Sequence, residues 1–298
     1  MGKHMRISTR ILHALLVLGL PIWTFAQTTP VEPQPIAIDG AMTHGYKVID
    51  GAEMRLHVFN PPNHSASEQR PAILFFFGGG WRRGSIEQFV PQSKYLAQRG
   101  MVAIVVDYRV FRRHNTSPFE AMADAKSAIR WVRSRANELG LDPDRIVASG
   151  GSAGGHIALS AAVFDSFDEA SEDARISSKP NALILFNPVV DTEQRPEFGA
   201  RGEEGSPLHH IVRNLPPMAI FHGKADTAVP YIGVEKFCGE ARKLENICEL
   251  FGYEGATHGF FNPPVEEGKW YRETLLEADR FLTNINYLLK PTPTQIEQ

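Results

Sequence analysis

Short runs of β-branched and aromatic residues alternate with longer amphipathic stretches along most of this chain, and that alternation constrains its architecture more than any other feature. A strand that leads into a helix and then into another strand rejoins its sheet in parallel, so the pattern predicts an α/β fold: a mostly parallel sheet with helices on both faces, in a single domain. Residues 72–77, 102–107, 146–150, 182–187, 218–222 and 248–253 read as buried strands, with 55–60 before them as an antiparallel one. The clearest helix is predicted over 118–139, where Met122, Ala125, Ile129, Val132, Ala136 and Leu139 recur in steps of three and four. Ser117 as N-cap, Pro118 at the first helical position and Glu120 give its start, and Gly140 its stop. Further helices should begin at Ser152 or Ala153, near Ile232 and near Lys269.

The ends of the chain stand apart from this pattern. Lys3, Arg6 and Arg10 precede an apolar run from Ile11 to Phe25, followed by small residues at the cleavage-determining positions up to Ala26. Residues 1–26 therefore read as a secretory signal peptide, the run being shorter than the ~20 residues that span a bilayer and broken by Pro21. Residues 27–40, with Pro30, Pro33 and Pro35, are expected to be a flexible mature terminus, 41–290 the folded α/β domain and 291–298 a tail. Such a protein is secreted or periplasmic and not stably inserted in a membrane after cleavage. A net charge of −3, with Lys and Arg spread along the chain, gives no footprint for nucleic acid and points to a small-molecule or carbohydrate partner. Export also permits a disulfide between the two cysteines, Cys238 and Cys248, which is favoured over two unpaired thiols.

Chemistry enters at the end of the 146–150 run, where Gly150-Gly151-Ser152-Ala153-Gly154-Gly155 leads straight into an apolar helical stretch. A G-x-S-x-G motif between strand and helix holds its serine on a strained turn, and the flanking glycines let the two elements approach. The helix N-terminus would set the Ala153 N–H beside an oxyanion. A second element, Phe77-Gly78-Gly79-Gly80-Trp81, ends another buried run in three glycines. Such a costly stretch suggests backbone N–H groups facing a ligand, so Gly79, Gly80 and Ala153 are the candidate oxyanion donors. A serine needs a base, and the base an orienting acid, both on loops after later strands. Asp226 follows 218–222 and His258 follows 248–253, giving the order Ser152, Asp226, His258.

Among eleven histidines and 34 acids other candidates compete. Asp191 is the runner-up acid. His222, inside a strand, suits packing or a backbone hydrogen bond, and His156, one turn into the serine helix, suits bracing of loops. His209 and His210 fall in a loop, 192–210, that sequence does not place. Trp81, Phe260 and Phe261 flank the catalytic loops and are candidates for a substrate pocket, with core packing the equal alternative.

Taken in order, these motifs resemble those of bacterial carboxylesterases of the α/β-hydrolase superfamily related to hormone-sensitive lipase and to acetyl xylan and feruloyl esterases. The likeness runs from about Pro71 to Asn262 and also includes Val106-Asp107-Tyr108-Arg109, Asp142-Pro143-Asp144-Arg145-Ile146, His222-Gly223-Lys224-Ala225-Asp226 and His258-Gly259-Phe260-Phe261. It implies one α/β-hydrolase domain that hydrolyses short acyl esters, acetyl or feruloyl groups on carbohydrate, through an acyl-enzyme on Ser152. No metal or organic cofactor is expected. Two positions depart from the lipase pattern. Phe77 stands where those lipases have His, so the hydrogen bonds that brace the glycine loop there are expected to be missing. Gly151 stands where they have Asp, which moves the likeness towards the polysaccharide esterases. An exo-acting serine peptidase of the same fold is the second enzymatic alternative, for which Glu203-Glu204 could supply a carboxylate pair, and a non-catalytic secreted binding module is a third.

Overall fold

The computed structural model describes residues 1–2, 33–49 and 51–290, and the signal-peptide stretch after residue 2, residues 27–32 and the 291–298 tail lie outside it. The chain divides into two units, residues 1–30 and 31–298, and every element described here belongs to the second.

Eight strands form one sheet: β1 (Met42–Ile49), β2 (Ala52–Phe59), β3 (Arg70–Phe76), β4 (Val102–Val106), β5 (Leu141–Gly151), β6 (Ala182–Phe186), β7 (Met218–Gly223) and β8 (Cys248–Tyr253). Their spatial order is β1-β2-β4-β3-β5-β6-β7-β8. The pairs β1/β2 and β2/β4 are antiparallel, and the rest of the sheet is parallel. Every residue of β4 is 0% exposed, and successive side chains point to opposite faces, so the sheet is covered on both. That is why these strands read as unbroken apolar runs.

The helices are α1 (Val90–Gln98), α2 (Phe111–His114), α3 (Pro118–Ser134), α4 (Ala153–Val163), α5 (Tyr231–Lys243) and α6 (Lys269–Asn284). Ser117 and Glu120 form the expected capping box on α3. The helix ends at Ser134, five residues before the predicted last residue, Leu139. Residues 135–140 turn instead, with Gly140 at φ +64°, because the chain must bring the Gly140 carbonyl to the Arg70 N–H (3.0 Å) and enter β5. Ala136 and Leu139 remain buried, so their spacing recorded core contact rather than helix. Sequence reading also passed over β1, α1 and α2. Cys238 of α5 and Cys248 at the start of β8 are bridged, with Cα atoms 5.7 Å apart.

Candidate active site

Ser152 sits between β5 and α4 with φ +54° and ψ −118°, a conformation that strains any residue with a Cβ. Its surroundings hold it there: the Ser152 N–H donates to the Phe186 carbonyl (2.9 Å). A Cβ on Gly154 would lie 2.1 Å from the Phe76 carbonyl oxygen, and one on Gly150 would lie 2.5 Å from the Gly154 backbone. Only glycine lets strand and helix meet this closely, which is the physical content of the G-x-S-x-G spacing.

The loops after β7 and β8 bring two further side chains to this turn. His258 Nε2 lies 3.0 Å from Ser152 Oγ, and His258 Nδ1 lies 2.7 Å from Asp226 Oδ2. The other oxygen of Asp226 accepts from the N–H groups of Ala228 and Val229, each at 2.9 Å. Burial pushes the Asp226 carboxyl up, but the His258 hydrogen bond and the Val229 N–H outweigh it and hold the pKa below the usual range. An ionised carboxylate at this point fixes the tautomer with Nδ1–H towards Asp226 and leaves Nε2 as the acceptor facing the serine.

Asp191 does not join this group: it is exposed and accepts from the Glu193 N–H. His222 donates to the Val229 carbonyl (2.8 Å) beneath Asp226, and His156 to the Gly205 carbonyl (2.8 Å), so both brace backbone. His210 Nδ1 lies 2.9 Å from the Ser206 carbonyl. His209 joins Asp191 and Glu193 at the surface, the one grouping among the described residues with the spacing of a metal site; all three are exposed.

The glycine loop after β3 carries three successive positive φ values, at Gly79 (+131°), Gly80 (+63°) and Trp81 (+56°). It is pinned from outside. The Gly78 N–H donates to Gln88 Oε1 (2.7 Å), the Tyr108 hydroxyl donates to the Phe77 carbonyl (2.7 Å), and the Gly79 carbonyl accepts from Arg82 (3.2 Å) and Arg83 (3.3 Å). The brace expected to vanish with Phe77 is therefore supplied by Gln88 and Tyr108, and Gln88 is itself tied to Asn262 (3.2 Å) in the His258 loop. Among the described residues nothing accepts from the N–H groups of Gly79, Gly80 or Ala153. Unpaired backbone donors next to Ser152 are what an oxyanion requires.

These residues open on a cavity of about 620 Å³. Trp81 and Phe261 line it, but Phe260 does not. The turn through residues 257–262 sends neighbouring rings in different directions: Phe261 stacks on Phe89 (5.5 Å), whereas Phe260 packs under Tyr253 (5.1 Å), fully buried. Among the cavity residues that escaped the sequence reading, four bear on the site. Gln88 is one. Asn187 directly follows β6, with Nδ2 3.3 Å from His258 Nδ1 and 3.5 Å from Nε2, against a ring whose nitrogens are already engaged. Arg195 and Glu197 come from the unplaced 192–210 loop, which crosses the mouth and is held there by the Arg195 hydrogen bond to the Ala228 carbonyl (2.8 Å) and by His156.

A doubly covered parallel sheet, a serine on a strained strand-to-helix turn and an acid–histidine pair reaching it from later strands define an α/β-hydrolase of the serine type. Comparison with known proteins narrows the class. Residues 56–196 match the BD-FAE family. Esterase 2 of Thermogutta terrifontis, phosphorylated by paraoxon, is 47% identical and superposes with a TM-score of 0.84 over 86% of this chain and 98% of that one. The propionate-bound form of the same esterase is 46% identical, with a TM-score of 0.83 over 85% and 97%. A probable carboxylic ester hydrolase of Mycobacterium tuberculosis, LipM, is 28% identical over 70% of this chain and 52% of its own length. A probable isoprenylcysteine alpha-carbonyl methylesterase of Arabidopsis thaliana, ICMEL1, is 30% identical over 74% and 52%. The chain spans about half the length of these curated relatives. It belongs to the α/β-hydrolase carboxylesterase family.

Proposed function

We propose that the protein is an exported carboxylesterase that removes short acyl groups, acetyl or feruloyl, from carbohydrate through an acyl-enzyme on Ser152. The observation that carries the proposal is the unbroken path from Asp226 through His258 to Ser152 Oγ beside free N–H groups of the glycine loop. Ser152 Oγ attacks the ester carbonyl while its proton moves to His258 Nε2, and Asp226 stabilises the imidazolium so formed. The N–H groups of Gly79, Gly80 and Ala153 receive the oxyanion. His258 then protonates the departing alcohol, and a water deprotonated by the same nitrogen releases the acid.

Short acyl groups are favoured because a homologous esterase, 97% of whose chain this one covers, is known with propionate and with butyrate bound. Export is supported by the leader-like N-terminus and by the Cys238–Cys248 bridge, since disulfides persist in oxidising compartments. The peptidase alternative finds no support in the cavity lining. Glu203 and Glu204 do not line it, Glu204 is paired with Arg201 (2.6 Å), and Glu197 is the one acid that faces it among the described residues. The test is a panel of p-nitrophenyl acetate, acetylated xylan, a feruloyl ester and an aminoacyl anilide. Rapid turnover of the esters with negligible cleavage of the anilide is expected; comparable specificity constants for anilide and acetate would overturn the proposal. Mass measurement of the exported protein should show a chain starting after Ala26.

A further inference from the structure

The catalytic cavity does not end at Trp81 and Glu197. The same two residues line a second cavity of about 360 Å³, whose other walls include Arg82, Phe111 and Asn115. The two spaces thus adjoin at Trp81 and Glu197. Phe111 leaves 48% of its surface in water, an unusual exposure for a large aromatic, and the Arg82 guanidinium lies 5.4 Å from the centre of its ring. This wall is fixed with respect to the serine. The Phe111 N–H donates to the Trp81 carbonyl (2.9 Å) and the Arg112 N–H to the Arg82 carbonyl (3.0 Å), which staples α2 onto the glycine loop.

Around the aromatic wall stand polar groups with nothing to bind inside the protein. Neither the Glu197 carboxylate nor the Asn115 amide makes a hydrogen bond or ion pair among the described residues. Arg82 and Glu197 carry opposite charges, so their sum favours a neutral ligand over an ion. An apolar ring face flanked by an amide, a guanidinium and a carboxylate matches a pyranose, which presents C–H groups on its face and hydroxyls on its edge. A hydrophobic acyl chain would leave those polar groups unmatched.

We infer that this cavity is a subsite for the sugar ring adjoining the one that bears the scissile acyl group. The inference rests on the carbohydrate-ester function proposed above. It makes the enzyme selective for oligosaccharides over monosaccharides.

The test compares kcat/KM on acetylated xylotetraose, acetylated xylose and p-nitrophenyl acetate for the whole protein and for Phe111→Ala and Phe111→Trp. Phe111 is exposed, so the fold should tolerate both changes. The unaltered protein should prefer the tetramer over the monomer by about tenfold. Phe111→Ala should abolish that preference with p-nitrophenyl acetate turnover within twofold of the original, and Phe111→Trp should retain it. Equal constants for tetramer and monomer in the unaltered protein, an undiminished preference in Phe111→Ala, or an equal fall on all three substrates would each overturn the subsite. Turnover of p-nitrophenyl acetate with none on any acetylated sugar would overturn it too while leaving ester hydrolysis standing. Inactivity towards p-nitrophenyl acetate would bring down the esterase proposal itself.

Discussion

Two buried aspartates, Asp226 at the carboxyl ends of the strands and Asp124 on α3, solve the same electrostatic problem in opposite ways. Both side chains are wholly withdrawn from solvent. Asp124 is saturated: Lys47 Nζ reaches Oδ1 at 2.7 Å, and Arg109 grips both oxygens through its side chain while its backbone N–H donates to Oδ2 at 2.8 Å. Lys47 and Arg109 also hold Glu169. The cluster ties β1, the segment after β4, α3 and the chain beyond α4 together, and every bond is internal. Asp226 instead hands one of its bonds to His258, whose imidazole is about a third exposed and passes its far nitrogen to a serine facing a cavity. A closed set of partners serves cohesion, whereas a set left open at one end serves chemistry.

The widest separation between the two regions should come from Ser152→Ala. Removing the nucleophile is expected to lower kcat on p-nitrophenyl acetate by roughly 10⁵–10⁶-fold, as for other hydrolytic triads, with the melting temperature hardly changed. Residual acylation of the variant by a chromogenic ester would show that another group attacks. Asp226→Asn comes next. It keeps the shape but offers His258 the wrong partner, and should cost about 10⁴-fold in kcat. A larger loss from Asp191→Asn would transfer the orienting role to Asp191.

Asp124→Asn should invert that profile. The change leaves Lys47 and Arg109 short of a counter-charge in the interior, which costs about 3–5 kcal/mol of stability. For a chain of this size the melting temperature should fall by something on the order of 10 °C. Turnover per folded molecule should stay within about twofold. Loss of turnover without loss of stability would mean that the cluster reaches the catalytic loops and that the contrast drawn here is false.

Much of this arrangement was legible in the sequence because it depends on order along the chain. Strands buried on both faces announce themselves as apolar runs, and loops that follow successive parallel strands must emerge at one edge, so strand order brought the Asp226 and His258 loops towards Ser152 and left Asp191 as the runner-up acid, which only the closed fold sets aside. β1 was missed because it lies at the edge and its residues are largely exposed, which leaves Thr43, His44 and Lys47 in place of an apolar pattern. α1 was missed because Val90–Gln98 is short and its buried face includes Gln92 and Ser93, which interrupt any apolar period. Gln88 and Asn187 carry no local signal: Gln88 meets Asn262 across 174 residues and Asn187 meets His258 across 71, so only the closed fold reveals them. Phe260 and Phe261 look alike in sequence, and the turn alone decides which faces the cavity.

His156 tests the contrast where the two regions meet, since it stands one turn beyond the nucleophile yet has the closed surroundings of a structural group. It is fully buried, edge-on to Trp81 (5.1 Å) and Phe198 (5.3 Å), with Nε2 on the Gly205 carbonyl and Nδ1 without a partner. Burial pushes its pKa down, the Gly205 hydrogen bond pulls it partly back, and the charge of Arg195 lowers it again, to about 4. The unfolded chain binds a proton at His156 below pH ~6.5 that the folded protein refuses until about 4. The stabilisation from holding the ring neutral is therefore complete above pH ~6.5 and is lost progressively as the pH falls towards 4, by at most ~1.4 kcal/mol per pH unit. Burial also lowers the pKa values of His57, His114 and His222, so the slope for the whole protein cannot be assigned to one ring. The difference between the original protein and His156→Gln isolates it, because glutamine can donate to the same carbonyl without titrating. Urea unfolding should show the stability advantage of histidine over glutamine shrinking by roughly 2 kcal/mol between pH 7 and pH 5. An advantage that does not vary with pH would mean that His156 takes up its proton in the folded state, and that the 192–210 loop opens to admit it.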